Sequence, residues 1–397
     1  MRRPPTVLPG NLASAEYPPE RIAQLRADGH EVVTDELGFF NAFLTEDDAE
    51  ALLTDPRFGA VAMATLHVSG VTEGPLHDVW SNLMFGKDGA EHARIRGAVS
   101  RHFSPSAVAA LGPRAERIAE ELAAAMPRGE VVDLWPAYAF PFAARTACAY
   151  VGIPIEDALQ AGDWALKLVR AFGIMSPDDA AAATAAAIEF DRYVDGLLER
   201  KRAEPADDVA TALIRDTEGV LSEAELRALV ANLVFGGLEA VTKALLTGVL
   251  HLVEHGLLAS VADPDVATHA VPELLRFHPP TPGVARLALE ETDIGGTVLQ
   301  PGQLAGANLW SVCHDPARYE CPQELRLDRK PGRPYPFGAG PHFCLGYNLA
   351  KLQLATGLRV LATRAPQLQL ACTREEVEMS LDPFYGPTTL PVRITEA

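Results

Sequence analysis

The stretch PFGAGPHFCLGYNLAK, residues 336–351, sets one cysteine, Cys344, among glycines, with His342 two places before it and an apolar pattern behind it. That pattern, LGYNLAKLQLATGLRVLATR, predicts a helix over 345–364 and puts Cys344 at or near its N-terminus. Partial positive charge there favours thiolate over thiol. Gly338, Gly340 and Gly346 let backbone approach a flat group and leave N–H groups able to point at sulfur. Those are the demands of a thiolate metal ligand. Read alone, a single cysteine is better explained as an inert buried hydrophobe.

Other spacings carry chemistry of their own. EHARIR places His92 and Arg96 four apart, on one helix face. ELLR sets Glu273 three before Arg276, and Arg329 and Arg286 stand in LRLDRK and GVARLALEE. HLVEH places His251, Glu254 and His255 in the inverted zinc-peptidase pattern, and two histidines at i, i+4 can share a metal. The pattern is short, and histidines at a helix C-terminus also suit the dipole. GAGPHFCLG lacks G-x-G-x-x-G spacing and follows no strand, so no nicotinamide site is expected.

FGAGPHFCLG resembles the haem-binding signature of the cytochrome P450 family, Phe-Gly-x-Gly-x-x-x-Cys-x-Gly. Phe337, Gly338, Gly340, Cys344 and Gly346 match it, and the resemblance runs over nearly the whole chain in the family's order. It implies haem b, iron protoporphyrin IX, with Cys344 as axial thiolate pushing electron density toward O–O cleavage. It implies His92, Arg96, Arg286 and His342 as partners of the haem propionates, since buried carboxylates need cationic, hydrogen-bonding company. Phe337, Gly338 and Gly346 would complete the cofactor loop. Glu273, Arg276 and Arg329 look like the family's structural ion-pair triad. Two departures stand out. Pro272 replaces a helix-forming residue and is expected near a helix start, where proline is tolerated. Arg326 falls where the family often has Asp.

The second site implied by the resemblance lies on a central helix expected over 222–255. The family pattern Ala/Gly-Gly-x-Asp/Glu-Thr-Thr/Ser reads here Gly236-Gly237-Leu238-Glu239-Ala240-Val241. The acid is kept and both hydroxyls are gone. Thr242 lies two positions past the usual threonine, about 200° around the helix, and should not substitute directly. The family threonine helps steer protons to iron-bound oxygen. Three routes remain: a substrate hydroxyl or carboxylate that holds the water, Glu239 with ordered water, or an oxidation that needs no full relay. Glu239 is expected to deliver protons, or to form an i, i+4 pair with Lys243.

The elements that must position these residues are mainly helical, with small peripheral sheets. Helices are expected over 19–29, 46–55, 91–102, 105–125, 139–151, 156–172 and 177–202. Ser222 and Glu225 form a capping-box pattern at the central helix, and adjacent Gly236 and Gly237 predict a kink. Strands are expected over 284–289 and 292–299, with a terminal strand pair. Residues 60–85 lack a steady period and read as a long loop. By resemblance the substrate pocket takes Met63, His67, His77, Trp80, Leu83 and Met84 from that loop, and residues 168–175 as a lid. Phe235, Leu238, Glu239 and Ala240 come from the central helix. Pro282, Gly283, Val284, Phe384 and Tyr385 close it. A largely apolar pocket with few polar anchors suits a compact hydrophobic metabolite carrying an oxygen function.

The 397 residues show no linker or repeat, and one cytochrome P450 domain over 1–397 is expected. Net charge of −19 argues against nucleic acid. The Pro-rich start has no apolar signal region, no run reads as a membrane span, and five scattered cysteines suggest no disulfide framework, so a cytoplasmic protein is expected. A monomer is the expected state. With no nicotinamide site, electrons should come from a ferredoxin and its reductase, docking near Arg94, Arg101, Arg333 and Lys351. Dioxygen and a small hydrophobic substrate complete the expected partners. The reading is a bacterial haem-thiolate monooxygenase of specialised or antibiotic metabolism. Its rivals are the same haem performing a non-inserting oxidation, and a catalytically silent docking or haem-binding module.

Overall fold

A computed structural model describes residues 5–8, 19–36, 38, 40–380 and 383–395. The chain forms two compact units, each drawn from two stretches of sequence: Met1–Val61 with Pro272–Cys344, and Ala62–Val271 with Leu345–Ala397.

The first unit is built on a mixed six-stranded sheet. Its order is Thr6–Leu8, Val32–Asp35, Phe40–Phe43, Leu304–Asn308, Gly283–Ala288, Phe58–Gly59. Phe40–Phe43 runs parallel to Leu304–Asn308, which pairs antiparallel with Gly283–Ala288 in a register that sets Arg286 opposite Ala305. Phe43, Leu52, Leu53, Leu309 and Val312 are buried together against it. Helix Glu46–Thr54 begins where Thr45 accepts the Asp48 N–H, an N-cap that satisfies a first-turn donor.

The triad lies in this unit. Arg276 donates from Nε to Glu273 Oε2 at 2.7 Å, and its second nitrogen reaches Oε1 at 2.8 Å. Arg329 Nε donates to the same carboxylate at 3.1 Å. The two arginines also cap the backbone carbonyls of Cys313, Pro322 and Glu320, each at 2.9 Å. Arg326 fits without an acid: its backbone N–H donates to Glu273 at 3.0 Å, while its side chain pairs with Glu324. Pro272 is a correction to the sequence reading. It lies inside helix Pro264–Phe277, past its midpoint. Pro264 occupies the helix start, and Pro272 has no N–H to offer the Thr268 carbonyl.

The second unit is helical, with a three-stranded sheet in the order Leu368–Leu370, Pro391–Ile394, Val131–Asp133 and a two-stranded one of Met379–Ser380 with Gly386–Pro387. Helix Tyr347–Arg364 packs on the central helix. Gly357 allows the approach, because a Cβ there would stand 3.0 Å from both Leu245 and Phe142. Tyr138 donates to the Gly357 carbonyl at 2.7 Å, and Gln353 to Thr146 at 2.7 Å. The central helix is present and capped as expected, with Ser222 and Glu225 closing a full capping box. It is broken rather than merely kinked. Glu223–Gly236 ends in a tightened turn through Gly237 and Leu238, and Glu239–Glu254 starts anew. This stretch is apolar and long enough to cross a membrane, but 78% of its most apolar 18-residue window is buried within the protein, as in a core helix.

Residues 60–85 are not the loop read from the sequence. They form helices Ala62–Val68 and Pro75–Ser81 and a turn over Met84–Gly86. Each helix has seven residues, too few to display a 3.6-residue period, and Gly70 and Gly74 separate them at φ +79° and +91°. The expected helix over 105–125 is likewise two, Pro105–Ala109 and Gly112–Ala125.

Candidate functional site

In the first unit the cysteine segment folds as two short turns, Tyr335–Phe337 and Gly340–His342. The Cys344 N–H donates back to the Phe337 carbonyl at 3.0 Å, closing the loop so that Cys344 sits half-buried at its base. Helix Tyr347–Arg364 starts three residues later, after Gly346 at its N-cap. Gly338 and Gly340 both hold positive φ, +75° and +70°, which L side chains avoid. They differ in surroundings. A Cβ on Gly340 would lie 2.3 Å from the Leu53 carbonyl oxygen, whereas one on Gly338 would meet nothing within 4 Å. The loop is therefore packed on one glycine and open at the other. His342 and Phe337 are half-buried on this segment. Arg286 is 8% exposed on its strand, and Val284, two residues before it, packs against the sheet core.

In the second unit His92 is 3% exposed and Arg96 half-buried, both on helix Gly89–Ser100. Glu239 opens helix Glu239–Glu254, where the positive end of the dipole favours its carboxylate. Ala240 follows, half-buried. Thr242 is buried and donates its hydroxyl to the Leu238 carbonyl at 2.9 Å, so that hydroxyl is engaged in the helix itself. Lys243 is buried and donates to the backbone carbonyl of Pro387 at 2.9 Å and of Gly386 at 3.3 Å. It ties the terminal turn to the central helix.

Of the residues expected to line the substrate pocket, Trp80, Leu83, Met84, Phe235, Leu238 and Tyr385 are buried, and Phe384 is half-buried. Trp80 stacks on Phe235 with centroids 6.0 Å apart, and Phe172 bridges to Phe384 at 6.5 Å. Phe85 belongs to this cluster, 5.4 Å from Trp80. Sequence reasoning passed it over, because it sits inside the turn Met84–Gly86, five residues from Trp80, and shares no helical spacing with it. His67 and His77 stack on one another at 5.6 Å.

The remaining candidates are occupied otherwise. Burial pushes the thiols of Cys148 and Cys313 up to about 12, so neither is a ready thiolate. His251, Glu254 and His255 do gather, with ligand-capable atoms within 4.8 Å of one another. Glu254, however, is held by His251 at 3.2 Å and by Arg374 at 3.5 Å, and the His251 hydrogen bond leads in lowering its pKa. Of the basic residues expected to dock a partner, Arg94 pairs with Glu225, Arg101 with Asp216 and Arg333 with Glu50. The Lys351 ammonium lies 5.1 Å over the Tyr347 ring.

The donor chemistry fits a haem: a half-buried cysteine on a glycine loop with one open face, and arginine and histidine side chains in each unit suited to carboxylates. Comparison with known proteins agrees. The family model described as Cytochrome P450 matches residues 261–362, which include the triad, Arg286 and the cysteine segment. The chain is 32% identical over 362 residues to 6-deoxyerythronolide B hydroxylase of Saccharopolyspora erythraea, covering 88% of each chain. It is 31% identical over 361 residues to the polyketide biosynthesis cytochrome P450 PksS of Bacillus subtilis, again over 88% of each. Among solved structures it matches CxnD, a cytochrome P450 for C–S bond formation in chuangxinmycin biosynthesis. There the TM-score is 0.87 at 27% identity, over 100% of this chain and 99% of the other. The chain belongs to the cytochrome P450 family, whose members are haem b oxidoreductases, and is a monooxygenase.

Proposed function

We propose that Cys344 holds the haem iron through its thiolate and that His92, Arg96, Arg286 and His342 hold the propionates. We further propose that the enzyme oxidises a compact hydrophobic specialised metabolite that assists its own proton delivery. Bound haem supplies reductive activation of dioxygen and oxidation of a C–H bond. The protein's part is to hold that group, exclude water with an apolar pocket and bring protons to the reacting oxygen. The observation that carries the last point is at residues 239–242. Ala240 offers no hydroxyl, and the Thr242 hydroxyl is given to the Leu238 carbonyl. That leaves Glu239, at the start of its helix, and a polar group on the substrate to hold the proton-delivering water. Electrons reach the haem from a redox partner, in this proposal a ferredoxin with its reductase. The 397 residues work as one cytoplasmic, monomeric domain.

Ala240→Thr tests substrate assistance. With the native substrate, the added hydroxyl should change the ratio of product to electrons consumed by less than about twofold, and crowding can slow turnover. A gain of tenfold or more in that ratio would refute the assisted path. The second reading, a non-inserting oxidation such as ring closure, desaturation or coupling, is favoured by the similarity to CxnD, named for C–S bond formation. It is distinguished by ¹⁸O₂ labelling. Product carrying ¹⁸O supports insertion, and unlabelled oxidised product supports the second reading.

A further inference from the structure

Trp80 raises a question that apolar packing does not answer. The residue is 0% exposed. Its indole N–H nevertheless meets no hydrogen-bond acceptor among the described residues. Nearly all buried polar groups in folded proteins find a partner, because leaving one unmade forfeits its hydration. Such a donor is expected to have an acceptor that arrives from elsewhere.

The surroundings say what kind of molecule brings it. Phe235 stacks on the indole at 6.0 Å and 16°, while Phe85 and Phe172 meet it edge-on at 5.4 and 5.5 Å. Phe85 and Phe172 also face each other at 4.7 Å. The rings come from separate elements: Trp80 from helix Pro75–Ser81, Phe172 from the turn Arg170–Phe172, Phe235 from the end of helix Glu223–Gly236. Phe172 is 38% exposed, so the cluster reaches the surface on that side. Phe235 lies four residues before Glu239, on the same interrupted helix. Aromatic walls favour flat, π-rich partners held face-on or edge-on. A single buried donor among them fixes orientation through one oxygen.

We infer that Trp80 is the specificity-determining donor of the substrate site. Its Nε1–H hydrogen-bonds the carbonyl oxygen of a flat, unsaturated ketone whose ring face lies against Phe85, Phe172 and Phe235. The inference rests on the monooxygenase reading only in taking this cluster as the substrate site. Specificity of this kind is sharp. A site built to bond an oxygen rejects the analogue that lacks it, because the buried donor is then left unmade.

The test uses holoenzyme and two probes of one skeleton: 1-tetralone, which carries the carbonyl, and tetralin, which does not. Isothermal titration should show wild-type protein binding the ketone about tenfold more tightly, equivalent to about 1.4 kcal/mol. Trp80→Phe keeps an aromatic ring and removes the donor, so it should bind both probes alike. Ultraviolet resonance Raman of wild-type protein gives a second readout that does not depend on the variant folding. One indole should pass from unbonded to hydrogen-bonded when tetralone is added and stay unchanged with tetralin. The inference is overturned if the ketone preference survives in Trp80→Phe, or if wild-type protein binds both probes equally or neither. It is also overturned if no indole in ligand-free protein is unbonded, as when the N–H points at a phenyl face or a fixed water. The reduced carbon-monoxide spectrum of the same samples keeps the outcomes separate, because its failure would refute the haem reading and leave the Trp80 result standing on its own.

Discussion

Gly338 and Gly340 share a left-handed backbone and two residues of separation, yet a methyl group would do different things to each. At Gly340 the Cβ would stand 2.3 Å from the Leu53 carbonyl, a backbone atom that cannot swing aside. Gly340→Ala should therefore destabilise by more than about 2 kcal/mol and disorder the Cys344 loop, measured by urea unfolding and haem content together. At Gly338 the Cβ meets only open space, and left-handed strain costs about 1 kcal/mol. If that open face is where the porphyrin packs, Gly338→Ala should lower haem content far more than stability. Equal loss of both, or neither, would remove Gly338 from the cofactor loop. At this scale the sequence was informative, because a cysteine among glycines at fixed spacing states its own requirements. Trp80 and Phe85 were harder to read. An indole's missing partner is a property of the packed surroundings, and nothing in the spacing reveals it.

Two elements carry most of the testable stability. Glu273 is buried with Arg276 and Arg329 bonded to it, so Glu273→Ala would strand two guanidinium groups. Removing one partner of a buried pair costs about 3–5 kcal/mol. Urea unfolding should show that loss, and a change below about 1 kcal/mol would mean that the triad is solvated. The other element is the start of the central helix. Glu225 closes the capping box with Ser222 and is paired with Arg94. The Arg94 guanidinium holds its carboxyl at about 2, well below the ordinary 4.5. A folded pKa below the unfolded one means that this stabilisation is complete above about 4.5 and is lost as pH falls toward about 2. Glu225→Gln should flatten the acid side of the stability profile in that window and cost about 1 kcal/mol at neutral pH, as a lost cap does. An unchanged acid limb would contradict this role. The capping box was legible because Ser-x-x-Glu before an apolar run is a local signal. The two helices in 60–85 were not, because seven residues show no period and their burial comes from tertiary packing. Pro272 misled for a related reason: proline marks a helix boundary by preference, and this helix starts eight residues earlier with another proline.

At the scale of the molecule, the family pattern spans both compact units. The cysteine loop, the triad and Arg286 lie in one, and His92, Arg96, Glu239 and the aromatic cluster lie in the other. Motif order along the chain made the family and its mainly helical fold readable, since each motif has a required sequence neighbourhood. The division of the chain into two interleaved units was not readable, because no change of composition marks where the chain passes between them. Cys344 as the thiolate of a haem enzyme is the central proposal for this chain. The most direct measurement is the absorption spectrum of the purified protein, reduced and exposed to carbon monoxide, beside that of Cys344→His. The wild-type protein should show a strongly red-shifted Soret band, and the variant should lose it with haem retained. A wild-type protein that binds no haem, or a variant that keeps the shifted band, would contradict that proposal.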